Sequence, residues 1–192
     1  MCMPRIASGA NMNLMHDYAP HAIVIRRARI GDVRAIKSLV DHYAGKVLLA
    51  KELVTLYEDV QEFWVAEELT EPDGTGRIVG CGALHVLWED LAEIRTVAVD
   101  ESVRGLGVGH RVVAQLITAG RELGLSRIFV LTFETAFFRR HGFQPIDGAP
   151  VTPEVYAQMR RSLDEGVAEF LDLPFVKPNT LGNTRMLLEL QD

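Results

Sequence analysis

Hydrophobic positions along the chain change their spacing several times, and each change predicts a new element. Residues 21–26 form a β-branched run typical of a strand. Apolar residues then recur at helical spacing from Val33 to Tyr43, with Asp32 as a candidate N-cap. A second helix is predicted over 51–60. Residues 1–20 follow neither period, so we expect a disordered N-terminal extension there.

The middle of the chain favours strands joined by short connections. Strands are predicted over 63–66, 77–88 and 91–99, with turns at 71–76 and 89–90. A glycine-rich stretch over 104–109 leads into an amphipathic helix that begins at His110. The remaining patterns predict a strand over 126–131, a helix over 136–141, a strand over 143–146, a helix over 153–164 and a strand over 184–190. This order predicts one α+β domain over 21–192 with a largely antiparallel sheet.

Composition and charge exclude several classes of protein. The chain has 192 residues, of which 48% are hydrophobic and 24% are charged, as in ordinary globular domains. Its net charge of −6 argues against a nucleic-acid binder. The longest apolar run, 78–88, is too short to span a membrane, and two cysteines form no disulfide framework. Two free thiols fit a reducing cytoplasm, and the short apolar run argues against membrane association. The six histidines lack metal-ligand spacing, so we expect no metal.

The sharpest chemical signal is a strand, a glycine-rich loop and a helix in direct succession. Glycines let a ligand approach the backbone closely, and the first N–H groups of a helix attract phosphate. Arg104 adds a positive charge beside them. No Gly-Lys-Ser/Thr follows, so this is not a Walker A loop, and the G-x-G-x-G spacing does not fit a dinucleotide fingerprint. A glycine-rich turn without a ligand is the alternative.

The motif R-x-x-G-x-G from Arg104 to Gly109, after the strand 96–99, resembles the acetyl-coenzyme A signature of the GCN5-related N-acetyltransferases (GNAT). The segment 137–143, FFRRHGF, resembles that family's later helix-to-strand region. The resemblance implies the GNAT fold, a central twisted sheet flanked by helices, with acetyl-CoA as co-substrate and its pantetheine between two splayed strands. It implies coenzyme contacts from Val97, Ala98, Val99, Arg104, Gly105, Leu106, Gly107, Val108, Gly109 and His110.

Further segments resemble the stand-alone short bacterial N-acetylglutamate synthases, notably 48–51, 79–84, 93–99 and 182–187. That resemblance implies transfer of acetyl to the α-amine of L-glutamate, the first step of arginine biosynthesis. It implies Glu93 as the base. Phe138 stands where many relatives have tyrosine, so the resemblance points to the Thr132 hydroxyl, or to water, as the group that protonates the leaving thiolate. Three cations are candidates for the substrate carboxylates, namely Arg185, Lys51 and Arg95, and the alternative for each is a surface charge or an internal ion pair.

Elementary chemistry supports a role for Glu93. An α-amine is mostly protonated at neutral pH and must lose a proton before it attacks a thioester, and a nearby carboxylate can take that proton. With a period of two, Glu93 is expected to share one face of its strand with residues 95, 97 and 99. Its alternative is a solvated carboxylate or an ion-pair partner of Arg95.

Two other functions stay open at this point. Ala50 replaces one member of a basic pair in the synthases, and L-glutamine needs one cation fewer than glutamate. A non-catalytic coenzyme-A-binding module would also tolerate the absent tyrosine. Segment 169–175 is a candidate substrate lid or dimer contact, and a homodimer is expected by family analogy alone.

Overall fold

A computed structural model describes residues 22–46, 48, 50–69, 76–162, 164–173 and 182–190. The predicted N-terminal extension, most of the turn at 71–76 and the end of segment 169–175 lie outside the described residues.

Seven strands and six helices are described, with short 3₁₀ turns at 30–32, 60–62 and 101–103. The strands are β1 (Ala22–Arg27), β2 (Phe63–Leu69), β3 (Gly76–Trp88), β4 (Leu91–Val99), β5 (Arg127–Thr132), β6 (Gln144–Pro145) and β7 (Thr184–Glu189). The helices are α1 (Val33–Tyr43), α2 (Leu53–Glu58), α3 (Val108–Glu122), α4 (Thr135–Arg139), α5 (Pro153–Met159) and α6 (Glu165–Phe170).

The strands form one sheet in the order β1-β2-β3-β4-β5-β7-β6. Every neighbouring pair is antiparallel except β4 and β5, which run parallel. The predicted α+β class with a largely antiparallel sheet is therefore confirmed. The parallel pair is the one joined by the long crossover through α3, as a parallel connection requires.

Helices cover both faces of the sheet. α3 packs on one face with an apolar cluster that includes Val112, Leu116 and Ile128, and α1 and α2 pack on the other. Gly82 on β3 allows α3 to approach, because a Cβ there would lie 2.9 Å from Val112 Cγ1. A third cluster joins β5 to α5 and α6 around Phe129 and Phe170. The layers hold β4 and β5 at the centre of the molecule.

A β-bulge in β4 reverses which residues face each side. The pairing with β3 passes from Ala83–Arg95 to Cys81–Ala98, so β4 has one extra residue there. Before the bulge Ile94 faces α3, and after it Val97 and Val99 face α3. The expectation that Glu93 shares a face with residues 97 and 99 is therefore wrong. Strict alternation holds only while the strands pair residue for residue.

The bounds of four helices differ from the predictions: α2 and α4 by one or two residues at each end, and α3 and α5 as follows. α3 begins at Val108 instead of His110, because Gly107 adopts a left-handed conformation (φ 72°) and the helix starts directly after it. The helix predicted over 153–164 ends at Met159. A separate helix, α6, starts at 165, and the Asp164 carboxylate accepts a hydrogen bond from the Val167 N–H at its first turn.

Candidate active site

A cleft opens where β4 and β5 stop pairing. Their ladder comprises Leu91–Arg127, Ala92–Ile128 and Glu93–Phe129, and ends there. Beyond it the two strands line a cavity of about 380 Å³ with residues 94–99 on one side and 130–134 on the other. Tyr43, Arg104, Gly109 and Phe137 complete the wall. An elongated ligand fits between the strands without breaking any pairing.

The bulge of β4 lies inside this cleft. Thr96 has φ 59°, a left-handed conformation that a β-branched residue rarely adopts. Such a conformation costs about 1–2 kcal/mol. The extra residue leaves Thr96 and Val97 without Cα partners on β3, and the Thr96 carbonyl accepts a hydrogen bond from Cys81 Sγ at 3.6 Å. The bulge therefore interrupts the regular β3–β4 register beside a cavity that Val97 lines.

The cavity contains half of the predicted coenzyme residues. Val97, Ala98, Val99, Arg104 and Gly109 line it. The other five lie in the loop and the first turn of α3, outside the lining. Among these, the Val108 side chain is buried in the core, so only its backbone can reach a ligand, whereas that of Leu106 is exposed.

The loop is shaped as a phosphate site requires. Gly105 and Gly107 both have positive φ, at 84° and 72°. They turn the chain so that the first N–H groups of the 15-residue helix α3 point out of its N-terminus beside Arg104. These donors and the guanidinium fit an anionic group such as a pyrophosphate.

The His110 side chain turns away from the loop. Its Nδ1 lies 2.8 Å from His141 Nε2, and its ring stacks on Phe137 at 4.4 Å between centroids. Burial, and then the neighbouring His110, lower the pKa of His141. The backbone of His110 belongs to the first turn of α3, while its side chain holds α4 against α3.

Tyr43 is a site residue that the sequence reasoning placed only on a helix face. Its hydroxyl donates a 2.6 Å hydrogen bond to the Val99 carbonyl and connects α1 to the end of β4. Burial, and then the charge of Glu101, raise the pKa of this tyrosine. The tyrosine therefore remains a neutral donor at neutral pH. The hydroxyl of Tyr43, at the end of the apolar face of α1, is the feature of the sequence that could have indicated this contact.

Glu93 belongs to the last β4–β5 pair, immediately before the residues that line the cavity, and is buried, with 6% of its surface exposed. It is the Cα partner of His85 on β3 and of Phe129 on β5. Its side chain faces away from α3. A buried carboxylate at this point is suited to accept a proton from a group that reaches the cleft from the α2 side.

Arg95 is held by carboxylates. Its Nη1 donates to both oxygens of Asp164 at 3.1 Å, and its Nη2 donates to Glu62 at 3.2 Å and to Asp59 at 3.3 Å. The side chain is 9% exposed. Arg95, predicted as a candidate ligand of the substrate carboxylates, therefore lies in an internal ion-pair network.

Charges in this network shift two carboxyl pKa values in opposite directions. Burial alone would raise the pKa of Asp164, but the charge of Arg95 and the Val167 N–H outweigh it, so this pKa is lowered. Burial and the charge of Glu62 raise the pKa of Asp59. Asp59 is consequently the easier of the two carboxyls to protonate.

The other two candidate cations lie on the same side of the sheet as Arg95. Arg185 on β7 is the Cα partner of Leu131, and its Nη1 donates to the Phe170 carbonyl at 2.7 Å. Its guanidinium carbon lies 5.6 Å from the centroid of the Phe129 ring. Lys51 precedes α2 and is half-buried, and its positive charge acts to lower the pKa of Asp59. The fold thus gathers three predicted cations from distant parts of the chain.

Thr132 lies at the end of β5 and lines the cavity. Its Oγ1 accepts a 2.9 Å hydrogen bond from the Glu134 N–H, which leaves the hydroxyl proton to donate elsewhere. Phe138 lines the cavity as well and has no hydroxyl. Among the described residues, no group of three or more side chains could hold a metal ion. No described helix is long and apolar enough to cross a membrane.

Comparison with known proteins connects this geometry to one family. The sequence model of the acetyltransferase (GNAT) family matches residues 35–143. A protein of Mycobacterium tuberculosis named amino-acid acetyltransferase is 66% identical over 167 residues, which cover 87% of this chain and 94% of that protein. One of Pseudomonas putida with the same name is 31% identical over 64% of this chain and 28% of its own length.

Solved structures agree with the sequence comparisons. A Mycobacterium tuberculosis protein crystallised in complex with CoA and NLQ is 65% identical, with a TM-score of 0.82 over 88% of this chain and 99% of that one. The N-acetylglutamate synthase of Neisseria gonorrhoeae, complexed with coenzyme A and N-acetyl-glutamate, has a TM-score of 0.67 at 24% identity. It covers 88% of this chain and 35% of its own length, and it supports the fold alone.

Proposed function

The chain belongs to the GNAT family of acetyltransferases, and from that membership we propose that it acetylates the α-amine of an amino acid, L-glutamate. It is an acetyl-transferring enzyme that uses acetyl-CoA. The observation that carries the acceptor class is the similarity to an amino-acid acetyltransferase over 94% of that relative's length. If the acceptor is glutamate, the reaction is the first step of arginine biosynthesis.

The cleft between β4 and β5 is the proposed acetyl-CoA site. Arg104 and the first N–H groups of α3, including that of Gly109, would bind the pyrophosphate. Backbone groups of Val97 and Val99 would hold the pantetheine. The apolar wall of Phe137 and Phe138 suits the uncharged part of the coenzyme.

The reaction is direct attack by the amine on the thioester. The ammonium form of the substrate loses one proton, its nitrogen forms a bond to the carbonyl carbon, and the C–S bond breaks. A second proton leaves the nitrogen, one of the two is taken up by the coenzyme A sulfur and the other goes to solvent. Glu93 is the proposed base. The N–H of Val97, which lies at the bulge and lines the cavity, is the proposed donor to the developing oxyanion.

Thr132 is the proposed hydrogen-bond donor to the leaving sulfur. Its oxygen already accepts from the Glu134 N–H, so its proton can be donated to a group in the cavity that Thr132 lines. Arg185 and Lys51 are the proposed ligands of the substrate carboxylates, because Arg and Lys bind carboxylates with charge-assisted hydrogen bonds.

One observation favours L-glutamine as the second candidate acceptor. Arg95 was the third predicted cation, and three carboxylates already contact its guanidinium. A site with one cation fewer suits an amide side chain better than a second carboxylate. The carboxylate-rich surroundings of Arg95 also disfavour an anionic group nearby.

Coenzyme A release from acetyl-CoA, followed with a thiol reagent across a panel of free amino acids, tests the proposal. We expect saturable release with L-glutamate or L-glutamine and none with lysine or ornithine. Acetyl-CoA binding without release for any amino acid would instead support a non-catalytic binding module.

The role of Glu93 is tested with Glu93→Gln. General base catalysis contributes about 10²–10⁴-fold, so we expect kcat to fall by about 100-fold while KM for acetyl-CoA stays within about twofold. Glu122→Gln, an exposed substitution at the far end of α3, is the matched control. An unchanged kcat in Glu93→Gln would remove this residue from the mechanism.

A further inference from the structure

His85 lies directly beside the proposed base and has no role in the chemistry so far. It is on β3, and its Cα partner across the ladder is Glu93. Directly opposed residues of an antiparallel pair project to the same face with their Cβ atoms about 5 Å apart. His85 is 18% exposed, so its ring lies between the buried carboxylate and the surface.

One nitrogen of the His85 ring, Nδ1, has two close neighbours. It lies 2.7 Å from Glu62 Oε1 and 3.0 Å from Arg95 Nη2. The two protons of Arg95 Nη2 have carboxylate acceptors of their own in Glu62 Oε2 and Asp59. A bare Nδ1 lone pair would be repelled by the nearer carboxylate oxygen, so we assign the proton to Nδ1, which donates it to Glu62. Nε2 is then the nitrogen that accepts protons, and it lies 3.9 Å from Asp164.

A route to solvent follows from the exposure of these groups. Glu93 is 6% exposed, whereas Glu62 is 24% exposed. A base this buried must pass on one proton in every turnover before it can accept the next. His85 is the titratable group that the β3–β4 register places beside it, and imidazole exchanges protons readily near neutral pH.

Resting on the proposed acetyl transfer, we propose that His85 is a proton-relay residue that carries the amine's proton from Glu93 to Glu62 and on to solvent. Protonated Glu93 gives its proton to Nε2 through a bridging water. The imidazolium then releases the Nδ1 proton to the Glu62 carboxylate, which gives it to solvent. Return of the proton within the ring from Nε2 to Nδ1, by exchange with water, restores the starting tautomer. No electron is transferred and no bond to carbon changes.

Charged groups face His85 from every element packed against it. Glu93 and Arg95 come from β4, Glu62 and Asp59 from the turn before β2, and Asp164 from the residue before α6. The ring therefore lies within a network of four carboxylates and one guanidinium.

The test compares His85→Asn with His85→Ala. Asparagine places an amide N–H close to the position of Nδ1 and can keep the hydrogen bond to Glu62, but it cannot carry a proton. A purely structural role predicts near-normal kcat for His85→Asn. The relay predicts that kcat falls by about tenfold or more in both variants, with both KM values within about twofold.

Two further readouts separate a relay from packing. In His85→Ala we expect added imidazole to restore kcat in proportion to its concentration, because a free imidazole can carry the proton through the vacated space. The pH profile of kcat should lose the contribution of a histidine in both variants. A kcat for His85→Asn within twofold of the unaltered enzyme, with no response to imidazole in His85→Ala, would overturn the relay.

A measurement that needs no acceptor keeps the relay separate from the proposed function. The ¹⁵N resonances of the His85 ring are followed by NMR in the full chain and in Glu93→Gln. Loss of the carboxyl beside Nε2 is expected to move the Nε2 resonance, while the Nδ1 resonance, which reports the hydrogen bond to Glu62, stays in place. An unmoved Nε2 resonance overturns the relay even if amino acids are acetylated. A moved Nε2 resonance supports the contact even if the panel shows a different acceptor.

Discussion

Gly109→Ala is expected both to stabilise the folded enzyme and to raise its Kd for coenzyme A. Gly109 is the second residue of α3 and has an ordinary helical conformation, since it is not among the glycines with positive φ. A Cβ added there would lie 3.5 Å from the Phe137 ring and 3.6 Å from Val99 Cγ2, which is normal van der Waals contact. Both neighbours line the cleft, so the methyl group projects into it.

The two effects have different sizes. Alanine is favoured over glycine within a helix by roughly 0.5–1 kcal/mol, so stability rises by about that amount. For a chain of this length this raises Tm by about 2 °C. In the cleft, the methyl keeps an anionic ligand from the Gly109 N–H. The loss of one hydrogen bond to a charged group is about 1.5 kcal/mol, or roughly a tenfold rise in Kd.

Thermal unfolding without ligand and calorimetric titration with coenzyme A measure these effects separately. Gly107→Ala is the control, because Gly107 has φ 72° and no atom within 4 Å of an added Cβ. That substitution is expected to lower stability by about 1–2 kcal/mol, with a smaller change in Kd than Gly109→Ala. If Gly109→Ala binds coenzyme A as tightly as the unaltered enzyme, the cleft beside Gly109 is not the coenzyme site.

Three other predictions concern charge and burial. Arg95→Met leaves three carboxylates near one another and is expected to cost about 2 kcal/mol at pH 7 in urea unfolding. The cost should shrink in acid as the carboxyls take up protons, and a pH-independent cost would refute this. Since the folded pKa of His141 is lowered from 6.5, its contribution to stability is full above pH 6.5 and is lost as pH falls from there through the folded value. His141→Asn should flatten the dependence of the unfolding free energy on pH in this range, and an unchanged dependence would assign it to other groups. Burial raises the pKa of Cys81 to about 12. We therefore expect iodoacetamide at pH 8 to leave this thiol unmodified in the native chain. Rapid alkylation, detected by mass spectrometry, would contradict its burial.

Local patterns predicted the elements and the family well. Strands β2, β3 and β4 and helix α3 follow from alternation and helical spacing, and the loop at 104–109 follows from its glycines. The resemblance to the GNAT family, confirmed by the comparisons, rests on that same loop. These features depend on residues close together in the chain, which is why a single sequence shows them.

Features that depend on distant residues were not accessible. The bulge at Thr96 is a mismatch between β3 and β4, and threonine gives no sign of a left-handed conformation. Arg95 reads as a free cation because the groups that hold it lie 33 to 69 positions away. His85 read simply as a strand residue, because its pairing with Glu93 depends on the register of β3 and β4.

The bulge explains how one strand can serve both sides of the reaction. Without it, Val97 and Val99 would face the same side as Glu93, and the coenzyme and the proposed base would compete for one surface. The extra residue turns the two valines towards α3 while Glu93 and its neighbours face α2. The strain at Thr96, about 1–2 kcal/mol, is small against the folding energy of a domain of this size. In the proposed mechanism, donor and acceptor then approach the end of the cleft from opposite faces of β4. Their meeting point is the position where β4 and β5 separate, immediately after Glu93.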